Sequence, residues 1–252
     1  MNEIESEIEY PIRINRYLYV KGYCSRRVAD KLITAGKVHI NNKVAVLGQK
    51  VNKSDNVTLA KSVKEMPANY KYYLFNKPIG VVSHNPQRGE KSVEDVSGLG
   101  KGVFPVGRLD KESSGLMLLT SDGRIVDKLL NPKFGHEREY EVQVDKRVTD
   151  SALNRMNKGV RIEIGERNGE RSFLVTKPAK LERLGEKSFS ITLTEGKKHQ
   201  IRRMCSALGY SVRKLKRTRM MHLHLDGLKL GKNRVLTNIE RTKLLSSLQI
   251  AQ

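Results

Sequence analysis

The chain of 252 residues contains no tryptophan and only two cysteines, Cys24 and Cys205, which lie far apart. Two cysteines without ligand spacing exclude a disulfide-stabilised scaffold and a cysteine-based zinc site. No apolar run approaches the roughly 18 residues that a membrane-spanning helix requires. The first ten residues carry four glutamates and no lysine or arginine, so no secretory leader is predicted. We therefore expect a soluble, cytoplasmic protein.

Acidic residues are also scarce, because 27 aspartates and glutamates accompany 48 lysines and arginines, for a net charge of +21. An excess of this size is typical of proteins that bind a polyanion, most often nucleic acid. The excess is concentrated in two stretches. Residues 11–70 hold twelve basic and three acidic residues, and residues 197–220 hold nine basic residues and no acidic one.

An acidic arm at residues 1–10 precedes a predicted compact unit at residues 11–62. Apolar residues at helical spacing predict two short helices, the second capped by Ser25, and alternating residues after them predict a β-hairpin. The residues that carry these patterns are Ile14, Tyr17 and Leu18; Val28, Leu32 and Ile33; and Val38, Ile40, Val44 and Val46.

Basic side chains are clustered on or between the two predicted helices. They include Arg13, Arg26, Arg27 and Lys31. A solvated helix face is the simpler interpretation, but the density of charge favours a surface that contacts the phosphates of a nucleic acid.

A linker at residues 63–70 separates this unit from a second domain at residues 71–252. Strands and helices in the second domain follow one another without a regular βαβ rhythm, so the sequence predicts an α+β fold. A capping box formed by Thr237 and Glu240 predicts a last helix, whose apolar residues are Ile239, Leu244, Leu245 and Leu248.

The segment from Gly107 to Leu116 is a polar loop bounded by two glycines, and it places Asp110 close to Arg108. Loops on rigid elements often carry catalytic groups. A plain turn or helix start capped by Asp110 is the alternative, and composition alone favours it.

Two further positions are candidates. Tyr140 lies on the apolar face of a predicted strand, where a core tyrosine is the default and a base-stacking surface the functional alternative. Arg202 and Arg203 lie in an amphipathic helix beside Ile201, and a half-buried arginine requires a carboxylate or phosphate partner. An exposed basic face is the other interpretation of both arginines.

Other patterns are weak. The glycines at positions 98, 100 and 102 precede a predicted strand rather than a helix, which argues against a dinucleotide or methyltransferase loop. His222 and His224 lack a third ligand, and Ser113 lacks a nearby histidine base. We therefore predict neither a metal site nor a cofactor.

Taken in order, several segments resemble the RsuA-type pseudouridine synthase family. They are GRLDKESSGLMLLTSDG at residues 107–123, NKPIGVVS at 76–83, EREYEVQV at 137–144 and the basic stretch at 196–220. Residues 13–51 resemble the S4 RNA-binding domain that precedes the catalytic domain in this type. KLKRTRMM followed by LDGLKLG indicates the F-type branch, which acts on large-subunit rRNA. The tryptophan of the family's GxWRxLT stretch is absent from residues 231–237.

The resemblance implies a mixed, mainly antiparallel sheet flanked by helices, and it implies roles for individual residues. Asp110 would be the essential aspartate, Tyr140 would stack on the target base, and Arg202 would pair with Asp110. The implied substrate contacts are Arg108, which helps to displace the flipped base, Ile201, Lys77, Arg203 and the four basic residues of the first unit.

The implied reaction converts a uridine of 23S rRNA, near the peptidyl transferase centre, to pseudouridine in a monomeric enzyme without cofactor or metal. The RNA would be presented as rRNA or as a large-subunit precursor, with tRNA as a second candidate substrate, and neither DNA nor membrane is expected as a partner. The alternatives are an S4-domain RNA-binding protein without catalysis, a synthase with another target, and an S4-linked methyltransferase.

Overall fold

The computed structural model describes residues 9–21, 23–60, 70–100, 102–167 and 170–250. The predicted acidic arm and linker therefore lie largely outside the described residues. The chain forms two compact units. The first comprises residues 1–70 with the short segments 122–126 and 249–252, and the second comprises residues 71–121 and 127–248.

The first unit contains two helices and short strands around one core. Its elements are β1 (Ile12–Arg13), α1 (Ile14–Val20), α2 (Arg26–Thr34), β2 (Val38–Ile40), β3 (Lys43–Val44), β4 (Lys50–Val51) and β5 (Val57–Leu59). β1 pairs with β4, and β2 pairs with both β3 and β5. The predicted helix–helix–β arrangement is confirmed.

Ser25 caps α2 as predicted, because its hydroxyl accepts a hydrogen bond from the amide of Val28 at 3.3 Å. The predicted apolar face of α2 is partly wrong. Val28 is 44% exposed, and Ala29 is buried in its place beside Ile33. Ala29 and Ile33 are four residues apart, so they share one helical face, from which Val28 is rotated away.

The second unit is built on one large mixed sheet. Its strands are β6 (Tyr72–Lys77), β7 (Phe104–Pro105), β8 (Ser114–Thr120), β9 (Arg138–Val144), β12 (Lys180–Gly185), β13 (Ser188–Leu193), β14 (Val212–Met220), β15 (Leu223–His224) and β16 (Asn233–Val235). The strand order is β12-β13-β9-β14-β8-β6-β16, with β15 beside β14 and β7 beside β8. Among the described strands of this sheet, only β8 and β14 pair in parallel, and the other pairs are antiparallel.

Helices flank this sheet, which confirms the α+β class. They are α3 (Val93–Ser97), α4 (Ile125–Leu130), α5 (Asp150–Lys158), α6 (Gln200–Ala207) and α7 (Asn238–Ser247). A separate hairpin is formed by β10 (Arg161–Arg167) and β11 (Glu170–Val175). Within the described residues, no helix is long and apolar enough to cross a membrane.

The capping box of α7 is confirmed, with the amide of Glu240 bound to the Thr237 hydroxyl at 3.2 Å. Leu244, Leu245 and Leu248 are buried as expected, whereas Ile239 is 81% exposed. Ile239 precedes Leu244 by five residues, which is about 140° around a helix, so the two side chains cannot share one buried face.

Candidate active site

The loop between β7 and β8 carries Asp110, and a glycine at each end shapes it. Gly107 has a φ of +79°, and a Cβ there would lie 2.9 Å from a methyl carbon of Leu130. Gly115 has a φ of +110°, and a Cβ there would overlap the backbone of Arg217, lying 2.6 Å from its nitrogen. Both positions therefore require glycine.

Residues 76–83 hold this loop by hydrogen bonds to the backbone groups of the loop. The amide of Gly80 donates to the carbonyl of Lys111 at 2.8 Å. The buried hydroxyl of Ser83 donates to the carbonyl of Leu109 at 2.7 Å and accepts from the Leu109 amide at 2.9 Å. Residues on both sides of Asp110 are thus tied to a neighbouring segment.

Lys77, at the end of β6, is the central part of this support. Its ammonium donates to the carbonyls of Pro78, Asp110 and Ser113 at 3.0, 3.1 and 2.8 Å. The side chain is 0% exposed. Burial lowers the pKa of Lys77 to about 8, a shift that the nearby Asp110 opposes and Arg217 reinforces.

The predicted role of Lys77 in substrate binding does not agree with this position. An ammonium that is fully buried and bound to three carbonyl oxygens has no donor left for RNA. Lys77 instead fixes the backbone on which Asp110 is mounted.

The carboxylate of Asp110 is open to solvent, with 33% of the side chain exposed. Its ion-pair partner is His199, whose Nε2 lies 3.6 Å from Oδ1 of Asp110. His199 immediately precedes α6 and has a left-handed backbone with a φ of +55°.

Arg202 does not form the predicted pair with Asp110 in the described structure. Its Nη2 donates instead to the carbonyl of Glu112 at 3.1 Å, and its Nη1 lies 3.8 Å from the Glu112 carboxylate. The buried Nε of Arg202 has no hydrogen-bond partner there. The guanidinium reaches the loop two residues beyond Asp110, and it therefore supports the loop at Glu112.

Tyr140 lies on β9 at the junction of two hydrophobic clusters. One cluster contains Leu109, which precedes Asp110, and the other contains Ile201 on α6. Tyr140 is only partly buried, and in the sheet it stands directly opposite Arg217 on β14. The structure therefore brings Tyr140, Ile201 and the Asp110 loop into one region, with the Tyr140 ring partly open to solvent.

Comparison with known proteins assigns both units. The family described as RNA pseudouridylate synthase matches residues 71–207, and the S4 domain matches residues 12–57. This chain belongs to the RNA pseudouridine synthase family. Its members are isomerases that convert uridine to pseudouridine in RNA, so the chain is assigned to that enzyme class.

Full-length relatives support the assignment. The chain is 40% identical to the dual-specificity RNA pseudouridine synthase RluF of Escherichia coli O6:H1, over 94% of this chain and 80% of the relative. It is 37% identical to the ribosomal large subunit pseudouridine synthase B of Bacillus subtilis, over 92% and 95% of the two chains. A crystal structure of a pseudouridylate synthase matches with a TM-score of 0.67 and 28% identity, covering 92% of this chain and 99% of the other.

The remaining predicted residues of this pseudouridine synthase take different positions. Arg108 is exposed on the Asp110 loop, Ile201 is buried, and Arg203 is half-buried on α6. In the S4 unit, Arg13, Arg26, Arg27 and Lys31 are all exposed. Arg13 and Arg26 line an open cleft of about 400 Å³ together with Arg16, Glu9 and Tyr10.

Sequence reasoning missed His199 and the loop contacts of Gly80 and Ser83. His199 had one usable signal, since it directly precedes the helix that carries Ile201 and Arg202. The contacts of Gly80 and Ser83 join segments about 26 to 31 residues apart, and no local pattern reports such a contact. Within the described residues, no group of three or more potential ligands is placed to hold a metal ion.

Proposed function

We propose that this protein isomerises a specific uridine of large-subunit rRNA to pseudouridine, close to the peptidyl transferase centre, as a monomer that does not act on DNA. Two relatives support this target. One carries the large ribosomal subunit in its name, and the other is described as a dual-specificity RNA pseudouridine synthase. The second description names a dual specificity, and we propose tRNA as the further candidate substrate of this chain.

The observation that carries the proposal is the way in which hydrogen bonds fix the backbone around Asp110. Its backbone is held by a buried lysine and its neighbour Leu109 by a buried serine, while its carboxylate stays accessible. Rigid support for one exposed carboxylate is what a reaction needs when that group must meet a sugar carbon or proton in a defined position.

The chemistry breaks the N1–C1′ bond of the uridine, turns the uracil and forms a C5–C1′ bond. The hydrogen of C5 is lost to solvent, and N1 gains a proton. Asp110 acts either as the nucleophile at the sugar or as the base that removes a sugar proton, and both roles require the ionised carboxylate.

The base must leave the RNA stack before it can react, and Tyr140 is the aromatic surface proposed to receive it. Arg108, exposed on the Asp110 loop, is proposed to occupy the space that the base vacates. The apolar side chains of Leu109 and Ile201 limit access of water to the cleaved intermediate, which would otherwise lose its uracil.

The first test is tritium release from rRNA transcripts labelled at uridine C5, comparing the wild type with Asp110→Asn. We expect release by the wild type, none by Asp110→Asn, and equal affinity of both for the transcript. Equal release by the two proteins would refute the role of Asp110. No release by the wild type from rRNA, precursor particles or tRNA would favour the non-catalytic RNA-binding alternative.

The S4 unit is proposed to dock the substrate through its exposed basic face. Replacing Arg26, Arg27 and Lys31 together with glutamine should weaken rRNA binding and flatten its dependence on salt, because fewer counterions are released. The rate at saturating RNA should stay as in the wild type. Unchanged affinity in the triple variant would assign docking to another surface.

A further inference from the structure

His199 occupies the position that the sequence had assigned to Arg202. Its Nε2 lies 3.6 Å from Oδ1 of Asp110, which is the distance of an ion pair rather than of a hydrogen bond. Both side chains are partly open to solvent, with 46% of His199 and 33% of Asp110 exposed. The contact is therefore accessible from solvent.

The backbone of His199 has no role that requires an imidazole. The residue precedes the first turn of α6, yet its side chain makes no capping hydrogen bond. Its φ of +55° lies in the left-handed region, which glycine adopts most readily and in which histidine is one of the more frequent residues with a Cβ. Neither the missing cap nor the backbone conformation requires histidine at this position.

Several charged groups share these segments. They are Arg108, Lys111 and Glu112 on the Asp110 loop, Lys197, Lys198, Arg202 and Arg203 beside His199, Lys216 on β14, and Lys77 beneath the loop. Lys111 is paired with Glu90 at 2.8 Å, Arg202 contacts Glu112, and Lys77 binds carbonyls only. Among the described side chains, the basic group in contact with the Asp110 carboxylate is thus the imidazole of His199.

We propose that His199 is a positioning residue for Asp110, and that the contact between its imidazole and the carboxylate keeps the carboxylate oriented for reaction. This inference rests on the proposed function, because it takes Asp110 as the reacting carboxylate. His199 acts through Asp110 and is not argued to touch the RNA.

A positioning role predicts a loss of kcat with little change in KM, because the contact orients Asp110 and does not bind the RNA. An arginine at position 199 would keep a hydrogen-bond donor within reach of the Asp110 carboxylate. It should therefore rescue the rate that glutamine loses.

The experiment measures kcat and KM for tritium release in the wild type and in His199→Gln, His199→Arg, Lys198→Gln and Asp110→Asn. Lys198→Gln is the matched control, because it removes a neighbouring exposed cation that has no contact with Asp110. Circular dichroism checks the fold of each variant, and His199→Arg tests the proposal independently of His199→Gln.

We expect His199→Gln to lower kcat about fivefold and to leave KM unchanged, as befits a partly exposed contact between two polar groups. Lys198→Gln should keep the kcat and KM of the wild type. His199→Arg should restore kcat.

Three results would count against the scheme. A kcat of His199→Arg as low as that of His199→Gln would overturn the inference, as would equal kcat effects of His199→Gln and Lys198→Gln. Full activity of Asp110→Asn would instead overturn the proposed function itself, which the histidine variants alone cannot do.

Discussion

Replacing Gly115 with alanine should be far more damaging than its single added methyl group suggests. The φ of +110° costs any other residue about 1–2 kcal/mol. The new Cβ would also lie 2.6 Å from the backbone nitrogen of Arg217, so β8 and β14 must separate by about 1 Å to reach ordinary contact distance. That movement strains the hydrogen bond from Nε of Arg217 to the carbonyl of Leu116, now 2.6 Å.

The two steric effects together should lower the free energy of unfolding by about 3–6 kcal/mol. Gly98→Ala is the matched control, because Gly98 has a φ of +68° but nothing within 4 Å of its Cβ position. Urea unfolding followed by far-UV circular dichroism gives both values. Folded Gly115→Ala should also lose about 100-fold in kcat, since the Asp110 loop leads directly into β8. If the losses of unfolding free energy in Gly115→Ala and Gly98→Ala lie within about 0.5 kcal/mol of each other, the steric explanation is refuted.

Three other predictions follow from buried or paired polar groups. Ser83→Ala should lower the free energy of unfolding by about 1–3 kcal/mol and lower kcat, because the amide and the carbonyl of Leu109 both lose their hydrogen-bond partner. The bidentate contact with Arg234 lowers the pKa of Glu240 to about 2. Glu240→Gln should therefore lower the free energy of unfolding by about 1 kcal/mol above pH 4.5, and the difference from the wild type should vanish towards pH 2. Folding lowers the pKa of Lys77 from 10.5 to about 8. Between these two pH values the unfolded chain binds more protons than the folded chain, so the free energy of unfolding of the wild type should rise with pH relative to that of Lys77→Met.

Each of these three predictions has a control on an exposed side chain of the same type. Urea unfolding of Ser172→Ala, Glu182→Gln and Lys71→Met should show changes within about 0.5 kcal/mol and no added pH dependence. A buried-site variant that behaves like its control would show that the contact contributes nothing to the folded state.

Several features of the S4 unit and of the second unit were predictable because their sequence signals are local. Ser25 caps α2, Thr237 and Glu240 form the capping box of α7, and Val142 and Val144 are buried at alternating positions of β9. Each feature depends on residues within one turn or one strand. The errors at Val28 and Ile239 have a related cause, since apolar character alone does not say which face of a helix meets the core.

The partner of Asp110 could not be predicted in the same way. The loop and α6 are about 90 residues apart in the sequence. Whether His199 or Arg202 contacts Asp110 depends on which residue near the start of α6 meets the carboxylate in the folded chain. Lys77 shows the same limit, because its sequence neighbourhood says nothing about the carbonyls of Asp110 and Ser113 that enclose it.

By itself, the sequence determined the α+β class, the basic RNA-binding character and the segments that carry the chemistry, because charge, periodicity and short motifs are properties of the chain alone. Only the tertiary structure decided that Lys77 is a buried support, that Arg202 contacts the Glu112 backbone and that His199 faces Asp110. The physical reason is that a buried or paired charge is defined by its surroundings, and those come from segments that meet only when the sheet is assembled.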